Sequence, residues 1–210
     1  MKNKLKICII VASDPNFLGG LSLYQKHLMA FLEKYADITL IYKVSKMPGP
    51  SGKKINYIPI TTPRMTFLEN FIFEMKVLSY LKKHKFDVIN SQGFTGFWMS
   101  RLKKSESKII HTYHGSTYYF YKNHLRRFGL IKKIFLSASL IFPYFIERYA
   151  MKYADKIICN SEHVKNEMIK LYGNRKDVFV IRTGVDLKKF KPKNKSFSGS
   201  PSKKLIGLYV

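Results

Sequence analysis

The chain has 210 residues, of which 46% are hydrophobic, enough for one domain with a large core or for one domain and a fragment of a second. Its 38 Lys and Arg against 13 Asp and Glu give a net charge of +25. The two cysteines, Cys8 and Cys159, lie inside apolar runs without metal-ligand spacing, and no apolar run approaches the roughly 18–20 residues of a membrane span. This composition argues against a cysteine-based metal site and a transmembrane helix, and it favours a reducing compartment.

Hydrophobic periodicity predicts strands and helices in alternation. The predicted elements are, in chain order, strand Leu5–Ala12, helix Leu21–Leu32, strands Ile38–Val44 and Ile55–Ile60, helix Thr66–Lys83, strand Phe86–Asn90, helix Thr95–Leu102, strand Lys108–Tyr113, two helices within 115–153, strand Lys156–Cys159, a helix from Ser161 to Gly173, and strand Val178–Ile181. This alternation predicts an α/β fold: a Rossmann-like, doubly wound, mainly parallel sheet with helices on both faces.

Two of the predicted helices show an apolar face at helical spacing. In the first helix this face consists of Leu21, Tyr24, Leu28 and Phe31. In the long second helix it consists of Leu68, Phe71, Ile72, Met75, Leu78 and Leu81. We expect these faces to pack against the sheet.

The excess of basic residues is uneven along the chain. Residues 1–100 carry 14 basic and 6 acidic side chains, whereas residues 101–210 carry 24 and 7. A basic half favours an anionic partner such as an acidic lipid or a phosphorylated substrate, although a lysine-rich solvated surface explains the excess equally well. An aromatic and basic segment, 118–144, fits a membrane interface or core packing, and its cations include Arg126, Arg127, Lys132 and Lys133. No nucleic-acid-binding motif is present, so we expect no nucleic-acid partner.

Ligands of parallel α/β sheets bind at the carboxyl ends of the strands, which directs attention to the loops there. Gly19-Gly20 follows the first strand and opens a helix, where backbone N–H groups favour phosphate. The pair is not part of a dinucleotide fingerprint or a P-loop, and a simple tight turn is the alternative.

A second candidate is His114, which stands between Tyr113 and Gly115 just past a predicted strand. A histidine there can donate a hydrogen bond to a substrate or stabilise developing charge. His111, inside the strand, is interpreted as a core histidine with satisfied hydrogen bonds. Glu147 and Arg148 are interpreted as an ordinary pair on a helix surface.

Several motifs in the same order resemble the N-terminal domain of retaining glycosyltransferases of family 4, which have the GT-B fold. The resemblance covers roughly residues 4–192. The motifs that carry it are Gly19-Gly20, Asp87-Val88-Ile89, His111–Gly115, Glu147-Arg148 six residues before Ala154–Ser161, and Gly184-Val185-Asp186 followed by Phe190 and Pro192. Arg182-Thr183 stands where the family commonly has Pro-Asn, which puts the local turn in doubt.

The resemblance implies an enzyme that moves a sugar from a nucleotide-sugar donor to a glycan or lipid-linked acceptor, with no metal and no other cofactor. It implies that His114 contacts the transferred sugar as a catalytic residue. The implied substrate and donor-phosphate contacts are Gly19, Gly20, Gly115, Ser161, Gly184 and Asp186. Many members act near membranes, which implies a cytoplasmic protein that is peripheral on the inner face of the membrane, with Arg126, Arg127, Lys132 and Lys133 contacting membrane or acceptor.

The expected domain organisation follows from the same resemblance. Residues 1–192 form the acceptor-side domain, 193–202 a Ser/Lys/Pro-rich linker, and 203–210 the first strand of an absent donor-binding domain. We therefore expect a truncated second domain, no transfer by this chain alone, and a separate donor-domain polypeptide as a possible partner. The alternative is a non-catalytic basic module that binds anionic membrane or lipid-linked sugar.

Overall fold

A computed structural model of the chain describes residues 4–16, 19–44, 54–63, 69–102, 106–116, 129 and 144–184. The strands in these ranges are β1 (Leu5–Val11), β2 (Ala36–Lys43), β3 (Ile55–Ile60), β4 (Val88–Gln92), β5 (Lys108–Tyr113), β6 (Lys156–Cys159) and β7 (Val178–Val180). The helices are α1 (Gly20–Leu32), α2 (Glu69–Lys83), α3 (Met99–Leu102), a segment at 144–153 that we call α4, and α5 (Glu162–Tyr172).

The described strands form one sheet in the order β3-β2-β1-β4-β5-β6-β7. Every neighbouring pair is parallel, including β1 with both β2 and β4. The expected Rossmann-like α/β fold is therefore confirmed. The strand order reverses at β1, because the chain first builds outward to β3 and then returns to the other side of β1.

Helices cover both faces of this sheet. On one face α1 packs through Met29 against Ile9, Val11 and Leu40. On the other face the remaining helices contribute to a larger cluster, which includes Phe73, Val77, Met99, Ala150, Met151 and Met168. Strands buried on both faces explain the near-continuous apolar runs of β1 and β2.

The ends of α5 are set by local sequence. Ser161 has an extended backbone, and its hydroxyl accepts a hydrogen bond from the Val164 N–H at 3.2 Å. Gly173 ends the helix with φ +90°, a conformation that favours glycine, and its N–H donates to the Ile169 carbonyl. Both predicted ends of this helix are confirmed.

The buried faces of α1 and α2 differ from the predicted ones. In α1 the buried residues are Ser22, Gln25 and Met29, whereas Phe31 is exposed. In α2 the buried residues are Phe73, Glu74, Val77, Leu78 and Leu81, whereas Met75 is exposed. Each helix thus buries polar side chains that hydropathy alone assigns to solvent.

Several predicted boundaries also shift. β4 runs to Gln92, two residues beyond the predicted end, because its register with β1 and β5 continues to that residue. Residues 95–98 lie before α3, so the predicted helix from Thr95 is shorter. Of the predicted two-helix insertion, residues 144–153 are helical, and 117–128 and 130–143 lie outside the described residues.

Candidate functional site

The reversal of strand order places a candidate binding crevice at the carboxyl edge of the sheet. In open parallel sheets, the loops on either side of such a switch point diverge and leave room for a ligand. Here β1 lies between β2 and β4, with β5 next to β4. The loop after β1 leads to Gly19 and Gly20, and the end of β5 leads to His114 and Gly115.

The N-terminus of α1 is built to favour an anion. Gly19 is its N-cap with an extended backbone, no side chain caps the helix within the described residues, and no acidic residue occupies its first turn. The carbonyl of Gly19 accepts a hydrogen bond from Leu23 N–H, which starts the helix. A Cβ at Gly20 would meet nothing within 4 Å, so the space beside it is open. The N–H groups at a helix N-terminus and the helix dipole both favour a negatively charged group.

His114 contacts a side chain of this helix, that of Tyr24. The ring of Tyr24, on α1, contacts the His114 ring edge-on, with a centroid distance of 4.8 Å and an interplanar angle of 76°. Four residues separate Tyr24 from Gly20, about 6 Å along the helix axis. Tyr24 therefore joins the glycine-opened helix to the strand that carries His114.

The imidazole of His114 is neutral at physiological pH. Desolvation by burial lowers its pKa to about 4, because the charged form loses hydration. Its Nε2 atom is buried and has no hydrogen-bond partner among the described residues. A neutral imidazole offers one donor and one acceptor, so it can pair with a substrate hydroxyl at this edge.

His111 is buried in the core as predicted, but its hydrogen bonding is only half satisfied. Its Nδ1 lies 3.2 Å from Ser91 Oγ, whereas Nε2 has no partner in the described part of the chain. Burial and the neighbouring His114 lower the pKa of His111 to about 3. It packs on the opposite face of the sheet from Tyr24, together with Ser91 and Tyr113.

A row of polar side chains at the ends of β4 and β5 was missed by the sequence analysis. Gln92 Nε2 donates to Asn90 Oδ1 at 2.8 Å, and Asn90 Nδ2 donates to Thr112 Oγ1 at 2.9 Å. Gln92 is fully buried, and its Oε1 has no partner within the described ranges. The signal was the polar residues at every second position, 90 and 92 on β4 and 112 and 114 on β5, which a strand places on one face.

The other predicted site residues are spread along the same edge. Cys159 at the end of β6 pairs with Tyr113 at the end of β5. Ser161 and Gly115 each come two residues after these paired positions, so they follow neighbouring strands at the same edge of the sheet. The Ser161 hydroxyl is engaged as the N-cap of α5. Gly184 lies beyond β7, exposed and with open space around it, and the structure does not bring it to His114. Asp186, Arg126, Arg127, Lys132 and Lys133 lie outside the described residues.

Glu147 is a correction to the sequence analysis. It is 2% exposed, and its Oε2 accepts a hydrogen bond from the Tyr172 hydroxyl at 2.5 Å. Arg148 instead donates to the Tyr144 hydroxyl at 3.4 Å. Adjacent residues of a helix point about 100° apart, so only one of the two can face solvent when α4 packs against α5. The predicted surface pair does not form.

The candidate site is distinct from a cavity of about 370 Å³ at the opposite edge, where β5 and β6 begin. There the Arg175 guanidinium donates to the Asp177 carboxylate and to the carbonyls of Met151 and Ala154, which ties α4 to β7.

Within the ranges described above, no group of three or more His, Cys, Asp and Glu could hold a metal ion. Among the described helices, none has the length and apolar character needed to cross a membrane.

Comparison with known proteins is consistent with this geometry. The chain is 27% identical over 184 residues to the Escherichia coli enzyme UDP-Gal:alpha-D-GlcNAc-diphosphoundecaprenol alpha-1,3-galactosyltransferase, which covers 82% of this chain and 42% of that protein. The fold matches the glycosyltransferase WaaG with a TM-score of 0.62 at 11% identity, over 83% of this chain and 44% of WaaG.

A second solved structure, Anabaena Alr3699/HepE in complex with UDP-glucose, matches with a TM-score of 0.54 at 16% identity, over 88% of this chain and 45% of HepE. The chain thus spans less than half the length of each of these three proteins. The family profile of glycosyltransferase family 4 matches residues 18–189. The chain therefore belongs to glycosyltransferase family 4.

Proposed function

We propose that this chain is the acceptor-side half of a retaining glycosyltransferase, which moves a sugar from a nucleotide-sugar donor to a glycan or lipid-linked acceptor. The observation that carries the proposal is the buried Nε2 of His114, which has no partner among the described residues, on a ring that contacts Tyr24 of the glycine-opened helix α1. A polar atom without a protein partner is costly unless a ligand or water satisfies it. A sugar hydroxyl supplies that partner, and the helix N-terminus suits the donor diphosphate.

In this proposal each group has one task. The N–H groups at Gly20 and the next residues of α1 bind the anionic diphosphate, which carries increasing negative charge as the glycosidic bond to it breaks. His114 is neutral at pH 7, so it binds the transferred sugar through hydrogen bonds rather than as a cation. Gly115 and Ser161, which follow neighbouring strands, are proposed to shape the cleft around it.

The name of one relative supports a lipid-linked, diphosphate-containing acceptor. The name of the Escherichia coli relative gives UDP-Gal as its donor and GlcNAc-diphosphoundecaprenol as its acceptor. The net charge of +25 is well suited to phosphate groups on both substrates. We accordingly propose a cytoplasmic protein that works at the inner face of a membrane, with Arg126, Arg127, Lys132 and Lys133 near the acceptor or lipid.

Binding to the 210-residue chain tests this proposal directly. UDP-Gal and, separately, a water-soluble GlcNAc-diphospho-lipid with a short chain are titrated into isotope-labelled protein, with resonances of Gly20, His114 and Gly115 followed by NMR. We expect these resonances to shift together and the shifts to be lost in His114→Ala. His163→Ala is the matched control, because His163 is an exposed histidine on α5. Absence of binding at millimolar ligand, or equal binding by H114A, contradicts the proposal.

Transfer is tested separately. Radiolabelled UDP-sugar and the same acceptor are incubated with the chain alone and with a separately expressed donor-binding half, with and without EDTA. We propose no transfer by the chain alone, metal-independent transfer by the pair, and a product that keeps the anomeric configuration of the donor sugar. Efficient transfer by the chain alone would show that it is not an acceptor-side half.

A further inference from the structure

The backbone of the turn that carries His114 donates a hydrogen bond to a carboxylate on α5. Glu167 on α5 accepts two hydrogen bonds at its Oε1: one from the Tyr113 hydroxyl at 3.1 Å and one from the Ser116 N–H at 2.5 Å. Tyr113 is the last residue of β5, and Ser116 is the third residue after it. The two donors therefore bracket His114 and Gly115.

The conformation of this turn depends on such a contact because of Gly115. Gly115 has φ +118°, a backbone conformation that side-chain-bearing residues rarely adopt. Its Cβ position would have only one ordinary contact, 3.9 Å from Glu167 Oε1, so the backbone angle rather than crowding requires glycine. Ser116 is 5% exposed, and its N–H would lose its acceptor in the absence of Glu167. Glycine at such a position leaves the turn free to rearrange unless an outside group holds it.

Glu167 is itself held in place. It lies on α5, next to the fully buried Met168, between the two capped ends of that helix. The Tyr113 ring packs edge-on against Tyr172 of the same helix, at a centroid distance of 6.2 Å. The Tyr172 hydroxyl donates to the buried Glu147 on α4. Two helices thus fix the position of the carboxylate.

Glu167 and the His114 ring lie on opposite faces of the sheet. Tyr113 belongs to the core cluster that contains α5, whereas the His114 ring contacts Tyr24 on α1. Successive side chains of a strand alternate between its faces, so Glu167 reaches the site through the backbone of the turn. It is thereby separated from a substrate that contacts His114.

We propose that Glu167 is a positioning residue that locks the His114–Ser116 turn and so aims the His114 imidazole at the sugar-binding side of the cleft. The inference rests on the proposed function for the identity of the ligand, but not for the geometry. The two hydrogen bonds need an acceptor oxygen at this position and not a negative charge. Glutamine is therefore expected to hold the turn as well, because its amide oxygen accepts the same hydrogen bonds.

The experiment compares Glu167→Ala, Glu167→Gln and Glu167→Asp in the full chain without any substrate. Amide hydrogen exchange of Ser116 is expected to accelerate at least about tenfold in E167A, which corresponds to loss of one hydrogen bond, and to change less than about threefold in E167Q. E167D shortens the side chain and keeps the charge, and it is expected to match E167A. Asn166→Ala, an exposed neighbour on α5, is the control and leaves Ser116 unchanged.

The second readout is the pKa of His114, followed by NMR. It is expected to rise from about 4 toward 6.5 in E167A and E167D, because a released turn lets water reach the ring. A purely structural effect of Glu167 on α5 would speed exchange throughout that helix without moving the pKa of His114. The proposal is overturned if folded E167D exchanges the Ser116 amide at the wild-type rate and keeps the wild-type pKa of His114. It is also overturned if E167Q shows the same faster Ser116 exchange as E167A. Neither readout involves a ligand, so this test and that of the proposed function fail independently.

Discussion

Burial of Glu74 is expected to make its own contribution to the stability of this protein fall as pH rises. Glu74 lies on α2 and is 1% exposed. Its Oε2 accepts hydrogen bonds from the N–H groups of Gly96 and Phe97 at 3.0 and 2.9 Å, and its Oε1 has no partner among the described residues. Desolvation raises its pKa from 4.5 to about 8, against the opposing effect of the backbone hydrogen bonds.

The sign follows from proton binding in the two states. Between pH 4.5 and 8 the unfolded chain holds Glu74 ionised, whereas the folded protein keeps it protonated. At this group the folded state binds more protons in this range, so the contribution of Glu74 to stability is greatest below pH 4.5 and decreases until the pH passes about 8. At about 1.4 kcal/mol per pH unit, the interval corresponds to a loss of about 4 to 5 kcal/mol.

The variant Glu74→Gln removes this titration and keeps an oxygen that accepts the two N–H groups. Urea unfolding at pH 5, 6, 7 and 8 gives the difference in free energy of unfolding between variant and wild type. This difference is expected to shift in favour of the variant by about 4 kcal/mol from pH 5 to pH 8. His111 and His114, whose pKa values are lowered, titrate equally in both proteins and cancel.

Glu69→Gln is the matched control. Glu69 lies on the same helix, with a 31% exposed side chain that pairs with Lys43 at 3.2 Å, so its removal is expected to change stability by less than about 1 kcal/mol. A pH-independent difference between E74Q and wild type would refute the reasoning. So would a difference that falls with pH, because it would mean that the two N–H groups hold Glu74 ionised despite its burial.

Three further predictions concern the candidate site and its support. Gly96→Ala is expected to destabilise the protein by more than about 2 kcal/mol, since φ is +144° and the new Cβ would lie 2.6 Å from a side chain of α4; Gly184→Ala, with open space, is the control in the same urea titration. Tyr24→Ala is expected to raise the pKa of His114, measured by NMR, from about 4 toward 6.5, because water then reaches the imidazole. Tyr24→Phe keeps the aromatic ring and is expected to leave the pKa of His114 near 4. Equal pKa values of His114 in the two variants would contradict this prediction. Ser161→Ala removes the N-cap of α5 and is expected to cost about 1 kcal/mol in thermal or urea unfolding, with Ser161→Asp restoring most of it.

Much of the fold was predictable because its signals are local. The N-cap at Ser161, the glycine stop at Gly173 and the alternation of apolar runs with helical patterns each depend on residues within a few positions of one another. The rule that ligands bind at carboxyl ends of parallel strands then selects His114 and the Gly19-Gly20 pair from the sequence. Hydropathy was less able to choose helix faces, since Gln25 and Glu74 are buried polar residues.

The support of the site was not predictable because its contacts join distant parts of the chain. Fifty-one positions separate Ser116 from Glu167, and 25 separate Glu147 from Tyr172. No local pattern distinguishes Glu167 or Glu147 from exposed glutamates on a helix surface. Their roles depend on which helices pack together, and that is decided by the strand order.

By itself, the sequence determined the α/β class, the order of most elements, the ends of α5 and the family resemblance, because these follow from short-range periodicity, capping and motif spacing. The tertiary structure adds that β1 lies between β2 and β4, that Tyr24 of α1 contacts His114, and that Glu167 accepts hydrogen bonds from both sides of the turn that carries His114. The physical reason is that packing and buried hydrogen bonds are satisfied across the whole sheet, where partners are neighbours in space rather than in sequence.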